Sequence, residues 1–307
     1  MREIIITEEF MDMRLDRFIS KVTTLSKGEI QKLLRKKYIK VNGKKQEGSY
    51  RTEKLDKVQF FLSDEVFKED NLHSKVNTNN LNIIYEDKNI TLIDKPSGIL
   101  SQADGSSKED IVSMLISYLN TKSTGIVTRL DLNTSGIVLA GKNRRALMLL
   151  NEMSKNKLID KRYLTLVRGN FDREGTITHY GIKDNKENKL LLGNKKIDGS
   201  FEVSAEFIIK KRYKYHTLLE VRLITGKTHQ IRSQLDKIGF PVVGDRKYNK
   251  SKQCGNKDDF KINRQFLHCY KLTLKYSEKY KEIVTEDKSF YSDLPKELKN
   301  VLKSLDE

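Results

Sequence analysis

The chain has 307 residues, with 59 Lys plus Arg against 42 Asp plus Glu and a net charge of +17. That length can bury a substantial core and suits more than one domain, while no apolar run approaches the ~18 residues of a membrane span. The opening MREIIITEEF carries charge on both sides of a short apolar patch, unlike a secretory signal, and Cys254 and Cys269 fit neither a zinc pair nor a disulfide framework. The expectation is a cytoplasmic protein without a structural metal.

A basic excess favours a polyanionic partner, because each neutralised phosphate releases condensed counterions. A lysine-rich composition would raise the total as well, so the placement of the charge decides. Residues 14–48 hold eleven basic residues against three acidic ones. Beneath that charge, Leu15, Phe18, Ile19 and Val22 fall on one helical face. Ser26 and Glu29 form a capping-box signature, with Ile30, Leu33 and Leu34 continuing a second apolar face. YIKVNGK then alternates into an Asn42-Gly43 turn, a hairpin signal. The unit reads as helix, helix, small hairpin, with a dense one-signed charge on its solvent side.

This stretch resembles the small RNA-binding module named after the fourth protein of the small ribosomal subunit. The resemblance covers residues 12–62 and rests on RLDRFIS and GEIQKLLRKKYIKVNGK. It implies structured RNA as partner, with Arg14, Arg17, Lys32, Arg35, Lys36 and Lys37 as the expected RNA contacts.

Residues 63–82 are polar and aperiodic and read as a linker. From there a domain is expected over 83–307. LNIIYEDKNITLIDKP reads as two strands around an Asp87–Asn89 turn, and KPSGILSQADGSS as a glycine- and serine-rich loop. DIVSMLISYLN has helical periodicity. RRALMLLNEMSKN reads as an amphipathic helix through Leu147, Leu150 and Met153. KRYLTLVRG, FEVSAEFIIKKR and HTLLEVRLIT are strand-like, and SDLPKELKNVLKSL suits a terminal helix. Strands dominate without regular strand–helix alternation, which argues an α+β core around a mixed, mainly antiparallel sheet with flanking helices, preceded by the small α/β module.

Most candidate sites fail. TGKT at 225–228 lacks the glycine a phosphate loop needs five positions before Gly226, where Val221 stands. The five histidines, His73, His179, His216, His229 and His268, show no metal-ligand spacing. His268 and Cys269 are neighbours expected to point opposite ways on a strand, and no GxSxG elbow supports a serine nucleophile. The stretch TRLDLNTSGIVLAGKN, 128–143, survives with two readings. Asp131, Asn133, Thr134, Ser135 and Gly136 are good turn residues, and Asp131 beside Arg129 also suits a reactive carboxylate. Gly136 and Gly226 are both expected to serve tight backbone geometry.

Context favours the carboxylate. LIDKPSGIL, TRLDLNTSGIVLAGKN, KRYLTLVRG, LLEVRLITGKTHQIRSQL, FPVVGDRKY and RQFLHCYKLTL occur in this order. Across 83–278 they closely resemble the RluA family of pseudouridine synthases, and the basic module ahead of them is similar to the branch that modifies large-subunit ribosomal RNA. The resemblance implies Asp131 as catalytic aspartate and Arg232, in HQIR, as its paired arginine. It implies Tyr163, in KRYL, as the aromatic that stacks on the target base. Arg129 would help hold the target nucleotide out of its helix, and Leu267 would contact the base. Thr128 stands where the family usually has histidine. The family's monomeric state is the expectation here too.

The chemistry suits these residue types. Isomerising uridine breaks the N1 glycosidic bond, turns the base and rejoins it through C5, with no net redox change, so neither cofactor nor metal is called for. It requires an ionised carboxylate acting at C1′ or C2′, a form that an arginine within ~4–6 Å favours. Flipping the target out costs a few kcal/mol, part of which an aromatic platform recovers. The competing readings are a synthase acting on transfer RNA and a non-catalytic RNA-binding ribosome-assembly factor. A DNA-binding protein is disfavoured, since no recognition helix with base-reading side chains is evident.

Overall fold

The computed structural model describes residues 1–7, 10–67, 81–103, 109–184, 189–248, 260 and 262–306. Two compact units emerge, Met1–Lys75 and Val76–Glu307. His73, Cys254 and the middle of the expected linker, as well as part of the KPSGILSQADGSS loop, lie outside the described residues.

The first unit contains β1 (Arg2–Ile5), α1 (Leu15–Val22), α2 (Lys27–Arg35), β2 (Ile39–Val41) and β3 (Lys57–Phe60). α1 buries Leu15, Phe18 and Ile19, and α2 buries Ile30 and Leu34. The capping box forms: Ser26 N–H donates to Glu29 Oε2 at 2.8 Å, and Glu29 N–H to Ser26 Oγ at 3.4 Å. Asn42 and Gly43 both adopt positive φ, as a tight hairpin turn requires. The hairpin itself closes over a single bridge, Val41 to Lys44. The lasting partner of β2 is instead β3, which also pairs β1, giving the order β1-β3-β2. Packing continues past residue 62, where the sequence reads as linker. Asp64–Val66 form a 3-10 turn, and buried Phe67 meets Phe60 edge-on at 5.1 Å. At the linker's other end, Leu81 packs against the second unit's core.

The second unit opens with β4 (Asn82–Glu86) and β5 (Ile90–Lys95), turned by Asp87, whose Oδ1 accepts from Asn89 N–H at 2.7 Å and Ile90 N–H at 2.8 Å. There follow α3 (Ile111–Leu119), β6 (Gly125–Ile126), β7 (Ser135–Gly141), α4 (Arg144–Lys155), β8 (Ile159–Arg168), β9 (Gly175–Asp184), β10 (Lys189–Gly193), β11 (Phe201–Arg212) and β12 (His216–Leu223). The chain continues through α5 (Gln230–Lys237), β13 (Leu267–Leu274), β14 (Lys288–Tyr291) and α6 (Lys296–Asp306). Eleven strands make one sheet in the order β10-β9-β11-β12-β8-β13-β7-β5-β4, with β14 beside β13 and β6 beside β7.

α3, α4 and α5 share the main core through residues such as Met114, Leu115, Leu150, Met153, Ile231 and Leu235. α4 sets its face differently from the sequence reading, burying Ala146 and Leu149 with Leu150 and Met153, while Leu147 is only half-buried. α6 covers a smaller cluster with Leu166, so it packs on the β8 face opposite Tyr163.

The two halves of the sheet meet in one short contact. β7 and β13 run parallel and pair only at His268 with Ser135 and Cys269 with Gly136; every other strand pairing among the described residues is antiparallel. Around the contact, Ser135 Oγ bonds His268 Nδ1 at 2.9 Å and Arg264 Nη2 donates to Ser135 Oγ at 3.1 Å. Gly136 has φ +112°, and a Cβ there would stand 2.3 Å from the Cys269 carbonyl oxygen. Gly226 differs from the expectation: its φ lies outside the left-handed region, and a Cβ would meet only Lys161 Nζ at 3.5 Å.

Gly136→Ala combines a disfavoured φ with backbone overlap and is expected to cost about 3 kcal/mol or more. Urea unfolding checks this; a loss below ~1 kcal/mol would show that the junction tolerates a wider spacing.

Candidate active site

Asp131 lies in the segment that enters β7 at the sheet junction. Its residues form a turn closed by Thr134 N–H donating to Asp131 O at 3.0 Å. The turn uses the backbone carbonyl, so the carboxylate stays available. The neighbours of Asp131 are pinned on both sides. Leu130 N–H donates to Ser101 Oγ at 2.9 Å, and that hydroxyl donates back to Leu130 O at 2.8 Å. Lys95, fully buried at the end of β5, donates to Leu132 O at 3.1 Å, Ile99 O at 2.8 Å and Pro96 O at 2.9 Å. Thr128, buried, accepts Leu139 N–H at 2.9 Å through its hydroxyl and so helps anchor β7.

Arg232, in the first turn of α5, donates from Nη1 to Asp131 Oδ2 at 3.1 Å. Its other nitrogens make a bidentate pair with Asp245, Nε to Oδ2 at 2.6 Å and Nη2 to Oδ1 at 3.0 Å. Asp245 Oδ1 also accepts the backbone N–H of Lys247 at 2.8 Å and of Tyr248 at 3.1 Å. Burial works against both charges. The mutual hydrogen bonds outweigh it, holding Asp245 below its ordinary carboxylate range and Arg232 above its ordinary value. The Asp131 side chain is 23% exposed and that of Asp245 0%. One carboxylate therefore faces the cleft and the other is structural.

His229 precedes α5 in a left-handed conformation, φ 55° and ψ 21°, a strained setting for a side chain with Cβ. Its Nε2 stands 3.9 Å from Asp131 Oδ2, and its Nδ1 lies 3.2 Å from the Tyr248 hydroxyl. That hydroxyl accepts Leu190 N–H at 3.0 Å, which occupies an outward group of the edge strand β10. Burial lowers the His229 pKa, against the pull of Asp131.

These groups border a cleft of about 220 Å³, lined by Asp131, His229 and Arg232 and further by Arg246, Lys247, Asn263, Arg264 and Gln265 among others. Its lining is strongly basic around one carboxylate. Arg264 is itself braced, donating to Glu297 Oε1 at 2.8 Å and to Asn133 O at 3.2 Å.

Of the residues singled out from sequence, Asp131 and Arg232 come together in this cleft. Tyr163 and Leu267 do not line it. Both are buried, 4% exposed each, on the same face of neighbouring strands, where Tyr163 opposes Cys269 and Leu267 opposes Thr165. Burial raises the Tyr163 phenol well above its ordinary value, helped by Cys269 and by the Asp131 carboxylate. Burial likewise pushes the Cys269 thiol up to about 12. Arg129 is exposed. Arg14, Arg17, Lys32, Arg35, Lys36 and Lys37 are exposed on the first unit, with Arg14 paired to Asp16 at 2.7 Å. Sequence reasoning gave no role to Asp245 or Lys95, although GDRKY and LIDKP contain them. A buried carboxylate that needs a cation is a signal only once its burial is known.

Comparison with known proteins identifies the family. Residues 89–237 match the family described as RNA pseudouridylate synthase. The chain is 33% identical over 292 residues to an RNA pseudouridine synthase of Mycoplasma genitalium, covering 88% of each chain. It is 31% identical over 294 residues to the ribosomal large subunit pseudouridine synthase C of Rickettsia felis, covering 90% of this chain and 92% of that one. The solved structure of human RNA pseudouridylate synthase domain containing 4 shares the fold, with a TM-score of 0.59 at 18% identity, over 73% of this chain and 93% of that one.

Burial draws Lys95 from its ordinary 10.5 to about 7, with Asp131 acting the other way. Between those values the unfolded chain binds more protons than the folded one, so this group's contribution to stability rises as pH increases from about 7 toward 10. The melting temperature of the wild type relative to Lys95→Met is therefore expected to climb from pH 7 to pH 9. A difference independent of pH would contradict it.

Proposed function

The chain belongs to the RluA family of RNA pseudouridine synthases and converts uridine to pseudouridine; we propose that its target lies in large-subunit ribosomal RNA and that Asp131 is its catalytic carboxylate. The observation that carries the second part is the contact of Arg232 with Asp131 in a basic cleft. Support for the first part comes from the relatives named ribosomal large subunit pseudouridine synthase C, matched over most of their length, and from the basic first unit.

In this reading the substrate uridine leaves its helix and enters the cleft, its phosphates drawn by Arg246, Lys247 and Arg264. Arg129, exposed before Asp131, holds the strand open. Asp131 acts on the ribose, as nucleophile at C1′ or as base at C2′, and the N1 glycosidic bond breaks. The freed uracil turns, C5 bonds to C1′, the C5 proton leaves and N1 gains one, so the base is isomerised with no atom lost. Arg232 keeps the carboxylate aimed and offsets its charge. Tyr163, whose phenol feels the Asp131 carboxylate, backs the site from the core together with Leu267. Arg14, Arg17, Lys32, Arg35, Lys36 and Lys37 bind RNA outside the target.

The same reading has the protein act as a monomer in the cytoplasm. Asp131, Arg232, Asp245 and His229 all come from one chain, so the cleft needs no second subunit, and ribosomal RNA is a cytoplasmic substrate.

Unmodified large-subunit ribosomal RNA, incubated with the protein and mapped by carbodiimide-dependent reverse-transcription stops, is expected to acquire new pseudouridines. Asp131→Asn is expected to make none, with RNA affinity within about threefold of wild type, because a neutral isostere leaves the phosphate contacts in place. Normal turnover by that variant would refute the role of Asp131. Stops on transfer RNA alone would move the target.

A further inference from the structure

A second cavity, of about 210 Å³, is lined by Lys183, Lys189, Leu190, Phe201, Lys227 and Thr228. Lys183 comes from β9, Lys189 and Leu190 from β10, and Phe201 opens β11. Lys227 and Thr228 belong to the TGKT segment, which lacks the upstream glycine of a phosphate loop and yet places an ammonium and a hydroxyl here. Among the described lining residues are three lysines and an aromatic ring; Asp184 lies opposite Lys189 across the β9–β10 pair, and Lys227 Nζ stands 4.6 Å from the Phe201 ring centroid.

A chain of hydrogen bonds links the linings of the two cavities. Leu190 N–H donates to the Tyr248 hydroxyl, which bonds His229 Nδ1, and His229 lines the catalytic cleft. Thr228 adjoins His229 directly, and Lys227 is two residues from it, within about 8 Å between Cα atoms.

We propose that this cavity holds an unpaired nucleotide of the RNA strand next to the target uridine, its phosphate among the lysine ammoniums and its base against Phe201. This rests on the reading of the Asp131 cleft as the place where uridine is isomerised. Lysines act as point charges on a phosphate, and an aromatic face stacks any base without reading its edge. The cavity therefore sets the register of the strand and adds affinity, while leaving sequence choice to other contacts. An adenine, guanine, cytosine or uracil at that position is accepted alike.

Binding of a fluorescent eight-nucleotide oligouridylate to the full-length protein, read by anisotropy, tests this without requiring turnover. Lys183→Ala/Lys227→Ala changes exposed side chains and is expected to weaken binding at least tenfold, with the slope of log affinity against log salt smaller by about 0.7 for each lysine removed. Phe201→Leu is expected to weaken binding about tenfold with the slope unchanged. Equal affinity and slope in the lysine double variant overturn the proposal. So does a loss of affinity without a change in slope, which assigns the lysines to structure. A wild type that binds with this lysine dependence but modifies no ribosomal RNA leaves the cavity standing and removes the ribosomal target.

Discussion

Arg232 is shared between two carboxylates, and the candidate site depends on that division. Two of its nitrogens are committed to Asp245 and one is left for Asp131. A buried ion pair is costly to desolvate, and it holds only when geometry is good and the remaining lone pairs are satisfied. Here the pair is bidentate, and the backbone N–H groups of Lys247 and Tyr248 complete the Asp245 shell. The guanidinium is thereby fixed before substrate arrives, and the third nitrogen can only point where Asp131 lies. Preorganisation of this kind avoids spending reorganisation energy at the moment of reaction.

The other half of the arrangement is the sheet junction. β7 and β13 touch over two residue pairs, and the close approach depends on Gly136 having no side chain. The turn carrying Asp131 feeds β7, while Leu267 starts β13 and Arg264, just before it, reaches Asn133 in that turn. Lys95 ties the same turn to the end of β5. The Asp131 carboxylate therefore sits where three strands converge, and α5 and the Asp245 segment close over it from the other half of the sheet. Gly244 allows that closure, for at φ +74° its missing Cβ would stand 2.2 Å from Arg264 O.

Features set by local chemistry were legible in the sequence. The Ser26–Glu29 box, the Asp87 turn and the apolar face of α1 each depend on residues within a few positions, and each formed. The stretch 128–143 was legible as either a turn or a reactive carboxylate, and the fold shows that the alternatives were not exclusive: the backbone of Asp131 makes the turn, and its side chain meets Arg232. What escaped was non-local. β1 is a four-residue strand flanked by charge, whose partner β3 lies more than fifty residues away in sequence. Asp245 looks like any surface aspartate until its burial is seen. The resemblance implies Tyr163 as the aromatic that stacks on the target base; its ring lies in the core, because the period of β8 turns it to the same face as Val167 and Cys269. Gly226, expected to serve tight backbone geometry, has no positive φ.

In the proposed reading, Asp245 acts on catalysis only through Arg232, which it holds against Asp131. Single-turnover isomerisation rates of Asp245→Asn, Arg232→Met and the double variant, each confirmed folded at the assay temperature, test it most directly. The account predicts that the double variant reacts no more slowly than Arg232→Met alone, since removing the anchor of an absent guanidinium changes nothing further. Losses that multiply in the double variant would show that the two residues contribute independently and would contradict it.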